Sequence, residues 1–177
     1  MLKNLKIHSL SLILFLGACT HNPPQYPSQY KKGGFMEYSK QFNRDLKDLE
    51  NQYFEAYIQA HPAQEFVATQ AGFKMTKTQL SPKNTQDNDT IIYTYAIKDL
   101  QDSLLYTPTE MGKKKQVMGK AEMLIGIEYA LKRMSAGEKA TLLLPSSLAY
   151  GADGDGGKIG ANEPLVIELE LIENKNK

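Results

Sequence analysis

Between Glu37 and Ala60, apolar residues recur at Phe42, Leu46, Leu49, Tyr53, Ala56, Tyr57 and Ala60, with charged and amide residues between them. This spacing puts them on one helical stripe, and it predicts a helix over 37–60 that ends at His61-Pro62, because proline disfavours helical backbone in the residue before it. The stripe can pack on the domain that follows. It can equally pair with a second copy of itself, since its length accommodates an a/d seam. From Gly72 the texture changes to short strands. Phe73 to Thr78 alternates weakly, Leu80 to Asp89 is rich in turn residues, and Thr90 to Ile97 is β-branched and aromatic enough for a central strand. Lys113-Lys114-Lys115 reads as a solvated hairpin or loop.

One helix interrupts the strands. Met123, Leu124, Ile127, Ala130, Leu131 and Met134 repeat at helical spacing between Glu122 and Arg133, and Gly137 stands close behind as a stop. Lys139 to Leu144 and Leu165 to Ile172 are the closing strands. In the latter, Leu165, Ile167, Leu169 and Leu171 share one face and Val166, Glu168 and Glu170 the other, which predicts one buried and one wet face. The expected architecture is α+β: an antiparallel sheet wrapped on one short helix, preceded by an N-terminal helix.

The N-terminus has a different pattern. Lys3 and Lys6, then the apolar run Leu10 to Leu16, then Gly17 and Ala18 before Cys19, follow the order of a secretory signal over residues 1–18. The apolar run is about half the roughly 20 residues a spanning helix needs. Leu16-Gly17-Ala18-Cys19 resembles the bacterial lipobox, in which the cysteine is acylated and becomes the new N-terminus. That resemblance implies lipid attachment at Cys19 and a membrane lipoprotein of the cell envelope that faces the periplasm. Residues 19–36, with Pro23, Pro24, Pro27, Gly33 and Gly34, read as an extended tether.

Composition narrows the function. Against 20 Asp+Glu the chain has 21 Lys+Arg, and loss of Lys3 and Lys6 would remove even that surplus, so nucleic acid is a poor partner. A single Cys can form neither an internal disulfide nor a cysteine zinc cluster. Cys19 is therefore free for lipid. No G-x-S-x-G elbow occurs, and His8, His21 and His61 fall in the signal, the tether and a helix end, so a serine triad has no natural general base. Asp153-Gly154-Asp155-Gly156-Gly157 looks like the start of a calcium loop. Counted from Asp153, the fifth ligand position is Gly157 and the twelfth is Pro164, so the bidentate carboxylate is missing and the segment reads as a flexible glycine-rich loop.

The informative stretch runs from Glu122 to Ile172. Gly126 within a helical segment, Met134-Ser135-Ala136-Gly137-Glu138-Lys139-Ala140, Pro145-Ser146-Ser147-Leu148-Ala149-Tyr150-Gly151 and Pro164 to Leu171 closely resemble the C-terminal half of FKBP-type peptidyl-prolyl cis-trans isomerases. Weaker similarity reaches back to about Gly72, which makes 72–174 the expected isomerase domain after the 37–61 helix. The lipobox, the N-terminal helix and Lys158 to Pro164 further resemble the lipoprotein isomerases associated with gliding motility in Bacteroidetes.

This resemblance implies an enzyme that needs no cofactor or metal and binds prolyl segments of exported envelope proteins. It also implies a role for particular residues. Tyr150 matches the tyrosine whose hydroxyl donates to a substrate carbonyl, and Leu124 the residue whose backbone N–H does the same. Tyr95 matches a tyrosine at the side of the pocket. Ile159 falls on an apolar wall, Met123 on the rim, and Leu105 on the place of a phenylalanine. Three departures stand out: Ile127 replaces the pocket-floor Trp, Ile167 replaces a pocket Phe, and Tyr106 aligns with the family's Asp. The first two leave less aromatic surface for a prolyl ring, each worth ~0.5–1.5 kcal/mol beyond area burial. The same fold could therefore serve as a weakly active chaperone, a binding module, or an assembly factor of a motility or secretion apparatus.

Overall fold

The computed structural model describes residues 32–76 and 85–175. The signal and lipid-attachment readings, Cys19, most of the tether and the first half of the 80–89 turn lie outside these residues. The described residues divide between Gln41 and Phe42 into two units.

The first helix, α1, spans Lys32–Ala60, so it begins within the segment expected to be tether. Its end at Ala60 agrees with the His61-Pro62 stop. Within Phe42–Lys177, its packing differs from the predicted stripe. Phe42, Leu49 and Tyr53 are 46%, 42% and 49% exposed, whereas Glu50, Phe54 and Tyr57 are buried. Of the predicted stripe, Leu46 and Tyr57 turn inward and Ala56 and Ala60 stay exposed. The inward face is set by Phe54 and Tyr57, which pack on Leu143 and Val166. Tyr57 is fixed further by stacking on His61 at 4.0 Å and by donating from its hydroxyl to Asp102 Oδ1 at 3.0 Å. An aromatic pair with a hydrogen-bonded end outcompetes the more regular but shallower stripe.

Among the described residues, seven strands form one antiparallel sheet: β1 (Phe66–Ala68), β2 (Lys74–Thr76), β3 (Thr90–Lys98), β4 (Leu104–Tyr106), β5 (Lys114–Val117), β6 (Lys139–Leu144) and β7 (Leu165–Lys175). Their order is β1-β2-β6-β7-β3-β4, with β5 also paired to β3. One edge of β3 is thus shared, by β5 at Thr90–Tyr93 and by β4 at Ile97 and Lys98. Of the lysine run, read as a hairpin or loop, Lys114 and Lys115 open strand β5 and Lys113 precedes it. Lysines suit a sheet edge, where they discourage pairing with other chains.

β7 explains a second difference. Leu165, Ile167, Leu169 and Leu171 are buried as the alternation required, but Val166 on the opposite face is also fully buried, beneath Phe54 and Tyr57 of α1. The outer face of the sheet is wet at Glu168 and covered at Val166. On the inner face lies α3 (Ile125–Leu131), shorter than the 122–133 pattern because Leu124 is its N-cap, with extended ψ of 134°. Gly126 lets this helix approach the sheet, since a Cβ there would stand 2.3 Å from Leu144 Cδ2. Gly137 does not cap α3. At φ +87° it makes the turn into β6, and its N–H donates to Leu171 O at 2.7 Å.

The remaining helix, α2 (Pro108–Met111), is closed by a capping box in which Thr107 and Glu110 serve each other's backbone N–H.

Candidate active site

Alternation along β3 sends Tyr93 and Tyr95 to the same inner face, where their rings stack at 6.1 Å and 14°. Tyr93 is committed to structure: its hydroxyl donates to Gln116 Oε1 at 2.6 Å, and burial pushes its pKa up to about 12. The Tyr95 hydroxyl makes no hydrogen bond among the described residues. It is not among their buried orphan atoms either, so it faces accessible space. Burial, then the neighbouring Tyr150 and Tyr93, raise its pKa well above the ordinary phenol value.

All nine pocket candidates named from the sequence belong to, or pack against, the same apolar cluster as these rings. Tyr95, Ile127, Ile159 and Ile167 belong to one buried cluster, with Leu105, Tyr106, Met123, Leu124 and Tyr150 packed against it and partly open. Ile127 comes from α3, Ile167 from β7, Leu105 and Tyr106 from β4. Met123 and Leu124 lie in the extended approach to α3, where the helix start leaves backbone N–H groups without intrahelical partners.

Tyr150 follows a 3₁₀ turn, Ser146–Leu148, that leaves β6. The Ser146 carbonyl accepts from Ala149 N–H at 3.0 Å and Gly151 N–H at 2.9 Å, so both peptide neighbours of Tyr150 hang from one oxygen. Gly151 provides the φ of +64° that this turn requires. The Tyr150 hydroxyl, like that of Tyr95, has no hydrogen-bond partner among the described residues. Burial raises its pKa, with smaller contributions from Asp155 and Tyr106, so it stays protonated and able to donate at neutral pH.

Asp155 was absent from the candidates, yet it organises the loop that carries Ile159 and ties it to Tyr106. Its Oδ1 accepts from Gly157 N–H at 2.8 Å and Ile159 N–H at 2.9 Å, and its Oδ2 from the Tyr106 hydroxyl at 2.5 Å. The loop from Asp153 is therefore pinned rather than simply flexible, and the pin sits directly on the Ile159 wall. Two glycines make room for it. A Cβ on Gly154 would meet Ile159 O at 2.3 Å, and one on Gly157 would meet the Tyr106 hydroxyl at 2.8 Å. Where the resemblance expects Asp, Tyr106 stands, and a carboxylate reaches the same place from across the rim. The Tyr106 bond, and then the backbone donors, hold Asp155 below the usual carboxylate range. The only sequence signal was an Asp followed two and four residues later by donors it could reach, an arrangement that loop aspartates favour.

Lys158 closes this side. Its ammonium lies 4.6 Å over the Tyr106 ring and 2.8 Å from Glu110 Oε1. That bond, with the Thr107 capping box, holds the Glu110 pKa at about 2.

A model of the FKBP-type peptidyl-prolyl cis-trans isomerase family matches residues 81–172, which is more than half of the chain. The chain belongs to this family. It is 31% identical over 90 residues to the human peptidyl-prolyl cis-trans isomerase FKBP9, covering 50% of this chain and 16% of that protein. It is 33% identical over 88 residues to the outer membrane protein MIP of Legionella longbeachae, covering 50% of this chain and 37% of that protein. The fold is similar to the crystal structure of FkpA from Escherichia coli, with a TM-score of 0.58 at 22% identity over 77% of this chain and 64% of FkpA. The chain thus spans well under half the length of these two sequence relatives. Among the described residues, no helix is long and apolar enough to cross a membrane.

Proposed function

We propose that the chain is a peptidyl-prolyl cis-trans isomerase acting on X-Pro bonds of exported polypeptides. The observation that supports this reading is the family match over residues 81–172, together with Tyr150 and Tyr95, whose protonated hydroxyls have no hydrogen-bond partner among the described residues, in the same apolar cluster as Ile127, Ile159 and Ile167.

The chemistry follows from amide resonance, which sets a rotation barrier of about 18–20 kcal/mol and leaves uncatalysed X-Pro exchange at tens to hundreds of seconds. Twisting the bond removes the resonance and the charge separation it brings. A pocket poor in charge and water holds the twisted form better than the planar one, and this difference in binding lowers the barrier. No nucleophile, metal or cofactor takes part. Polar groups are needed only to orient the peptide: the Tyr150 hydroxyl donates to a substrate carbonyl, the Leu124 N–H to a second, and Tyr95 flanks the ring. Ile127, Ile167, Leu105 and Met123 make the apolar bed, while Asp155 holds Ile159 and Tyr106 in register around it.

The test is the cis-to-trans rate of short Leu-Pro and Phe-Pro peptides with the wild-type chain and with Tyr150→Phe. Acceleration by the wild type that falls about tenfold in the variant, the worth of one lost hydrogen bond of about 1.4 kcal/mol, supports the reading. No acceleration over buffer at micromolar protein overturns it. In that event the reduced aromatic content at Ile127 and Ile167 favours a second reading, an FKBP-fold chaperone or assembly factor that holds prolyl segments without turnover.

The setting is part of the proposal. The lipobox-like Leu16 to Cys19 supports signal cleavage after residue 18 and acylation of Cys19, with residues 19–31 and part of α1 lifting the domain from the membrane. Mass measurement of the mature chain from a bacterial host, wild type against Cys19→Ala, decides this. The exposed Phe42, Leu49 and Tyr53 on α1 support pairing with a second copy, which sedimentation with and without residues 37–60 would test. Kinship with motility-associated lipoprotein isomerases rests on the lipobox, the N-terminal helix and Lys158 to Pro164.

A further inference from the structure

Glu50 lies within α1, is 3% exposed, and accepts at Oε1 from the Ser146 N–H at 2.9 Å across 96 residues of sequence. Burying a carboxyl group is costly unless it is hydrogen-bonded, and the rest of this helix face is held by aromatic packing that does not need it. Its partner explains its presence. Ser146 is itself buried, and its N–H is the first donor after β6 because Pro145 has none. The carbonyl of the same residue accepts from Ala149 and Gly151, on either side of Tyr150. A continuous chain of hydrogen bonds therefore runs from Glu50 through Ser146 to both neighbours of the candidate catalytic tyrosine. Beside Glu50 a cavity of about 420 Å³, lined by Asn43, Lys47, Asn51 and Ser147 among others, leaves this end of the turn without close packing on that side.

We propose that Glu50 is a positioning residue for Tyr150: through Ser146 it ties α1 to the 3₁₀ turn and sets where the tyrosine hydroxyl stands over the pocket. This deepens the isomerase reading and rests on it. Glu50 touches no substrate. It gives the N-terminal helix a direct hold on the site, separate from the stabilising contacts of Phe54 and Tyr57.

The experiment uses the full chain as wild type, Glu50→Leu and Glu50→Gln, each with and without Tyr150→Phe. Two quantities are measured: kcat and KM on a Leu-Pro peptide, and the NMR resonances of the Gly151 amide and the Tyr150 ring. Leucine keeps the bulk and removes the acceptor, so kcat should fall about tenfold, while glutamine, whose amide oxygen still accepts, should stay within about twofold. In the Tyr150→Phe background Glu50→Leu should change the rate by less than about twofold, since residues acting as one unit are non-additive. The Gly151 and Tyr150 resonances should move in the leucine variant and not in the glutamine variant. An equal loss with and without the Tyr150 hydroxyl, or a lowered melting temperature with kcat and both resonances unchanged, overturns the proposal. Should Glu50→Leu fail to fold, Ser146→Pro removes the same bond from the donor side. The first position of the turn and the extended Pro145 before it (φ −60°, ψ 150°) both accept proline, and the same outcomes apply. If the wild type accelerates nothing, the isomerase reading fails, and the Gly151 and Tyr150 resonances alone decide whether Glu50 positions the turn.

Discussion

The Tyr106 hydroxyl donates to Asp155 Oδ2 at 2.5 Å, joining β4 to the loop beyond Tyr150 across 49 residues of sequence. Both partners are substitutions in kind: a phenol stands where the family resemblance expects a carboxylate, and a carboxylate comes from a loop that looked merely pliable. The pair makes a charge-assisted bond between β4 and this loop, with the charge carried by the loop.

Asp155→Ala removes at once the two acceptor oxygens that take three hydrogen bonds, from Tyr106, Gly157 and Ile159. The Ile159 wall should loosen, and kcat/KM on a Leu-Pro peptide should fall about tenfold, because misplacement of a binding wall acts on rate through orientation. Asp155→Asn should lose less, since one oxygen still serves the two backbone donors. Amide exchange at Gly157 and Ile159 checks the cause: an alanine variant with unchanged protection there would sink the idea that Asp155 orders the loop.

The acid dependence follows from the depressed carboxyls. Asp155 and Glu110 both have folded values below their ordinary ones, Asp155 through Tyr106 and Glu110, at about 2, through Lys158 and the Thr107 cap. A carboxyl depressed in the folded state stabilises it fully above the unfolded pKa of about 4, and that contribution is lost as pH falls through the folded value. Neither group therefore weakens the rim between about pH 5 and pH 8, and loosening should begin only below about pH 4. Since the chain has no Trp, circular dichroism and Tyr95-side peptide binding are the probes. A midpoint of rim opening between about pH 5 and pH 7 would contradict this assignment.

The parts of the molecule legible in the sequence were those where one force dominates. The alternation of β7 and the β-branched run of β3 reflect burial on one face, and both strands stand where expected. The nine pocket candidates converge because motif spacing carries the fold with it. What escaped depended on contacts between distant segments. Nothing near Phe54 says that its ring will cover Val166, so the more regular stripe through Phe42, Leu49 and Tyr53 looked like the inner face. Lys114 and Lys115 have little strand preference of their own and become a strand only because β3 offers a free edge. Asp155 was hidden for the same reason, since Tyr106 gives it meaning only once the chain has folded.

Ile127→Trp tests the pocket base. Ile127 is 1% exposed and belongs to the buried cluster with Tyr95, Ile159 and Ile167. An indole there adds an aromatic face for the prolyl ring, worth ~0.5–1.5 kcal/mol, which corresponds to a rise in kcat/KM of roughly two- to tenfold. The larger side chain overfills a close-packed site, so stability should drop by about 1–3 kcal/mol. A folded variant with an unchanged or lower rate would mean that the base does not touch the prolyl ring.

Phe54→Ala tests how α1 is held. The ring is buried against Leu143 and Val166, two residues on the outer face of neighbouring strands β6 and β7 that pair directly with each other. Removing it should cost about 3–5 kcal/mol, the usual range for a buried phenylalanine, and urea denaturation should show a lowered midpoint whose shift multiplied by an unchanged m-value gives that cost. The loss is not confined to one contact. Without Phe54 the sheet loses its cover over Leu143 and Val166, and Tyr57, which meets Phe66 edge-on at 6.2 Å, stacks on His61 and donates to Asp102, loses the ring one turn before it on the same helix face. The helix should then detach as a unit over its C-terminal turns, and amide protection should fall from Glu50 to Ala60 while β3 and β7 keep theirs. A small midpoint shift with protection intact along α1 would show that the helix is held elsewhere and that the Phe54 packing is incidental.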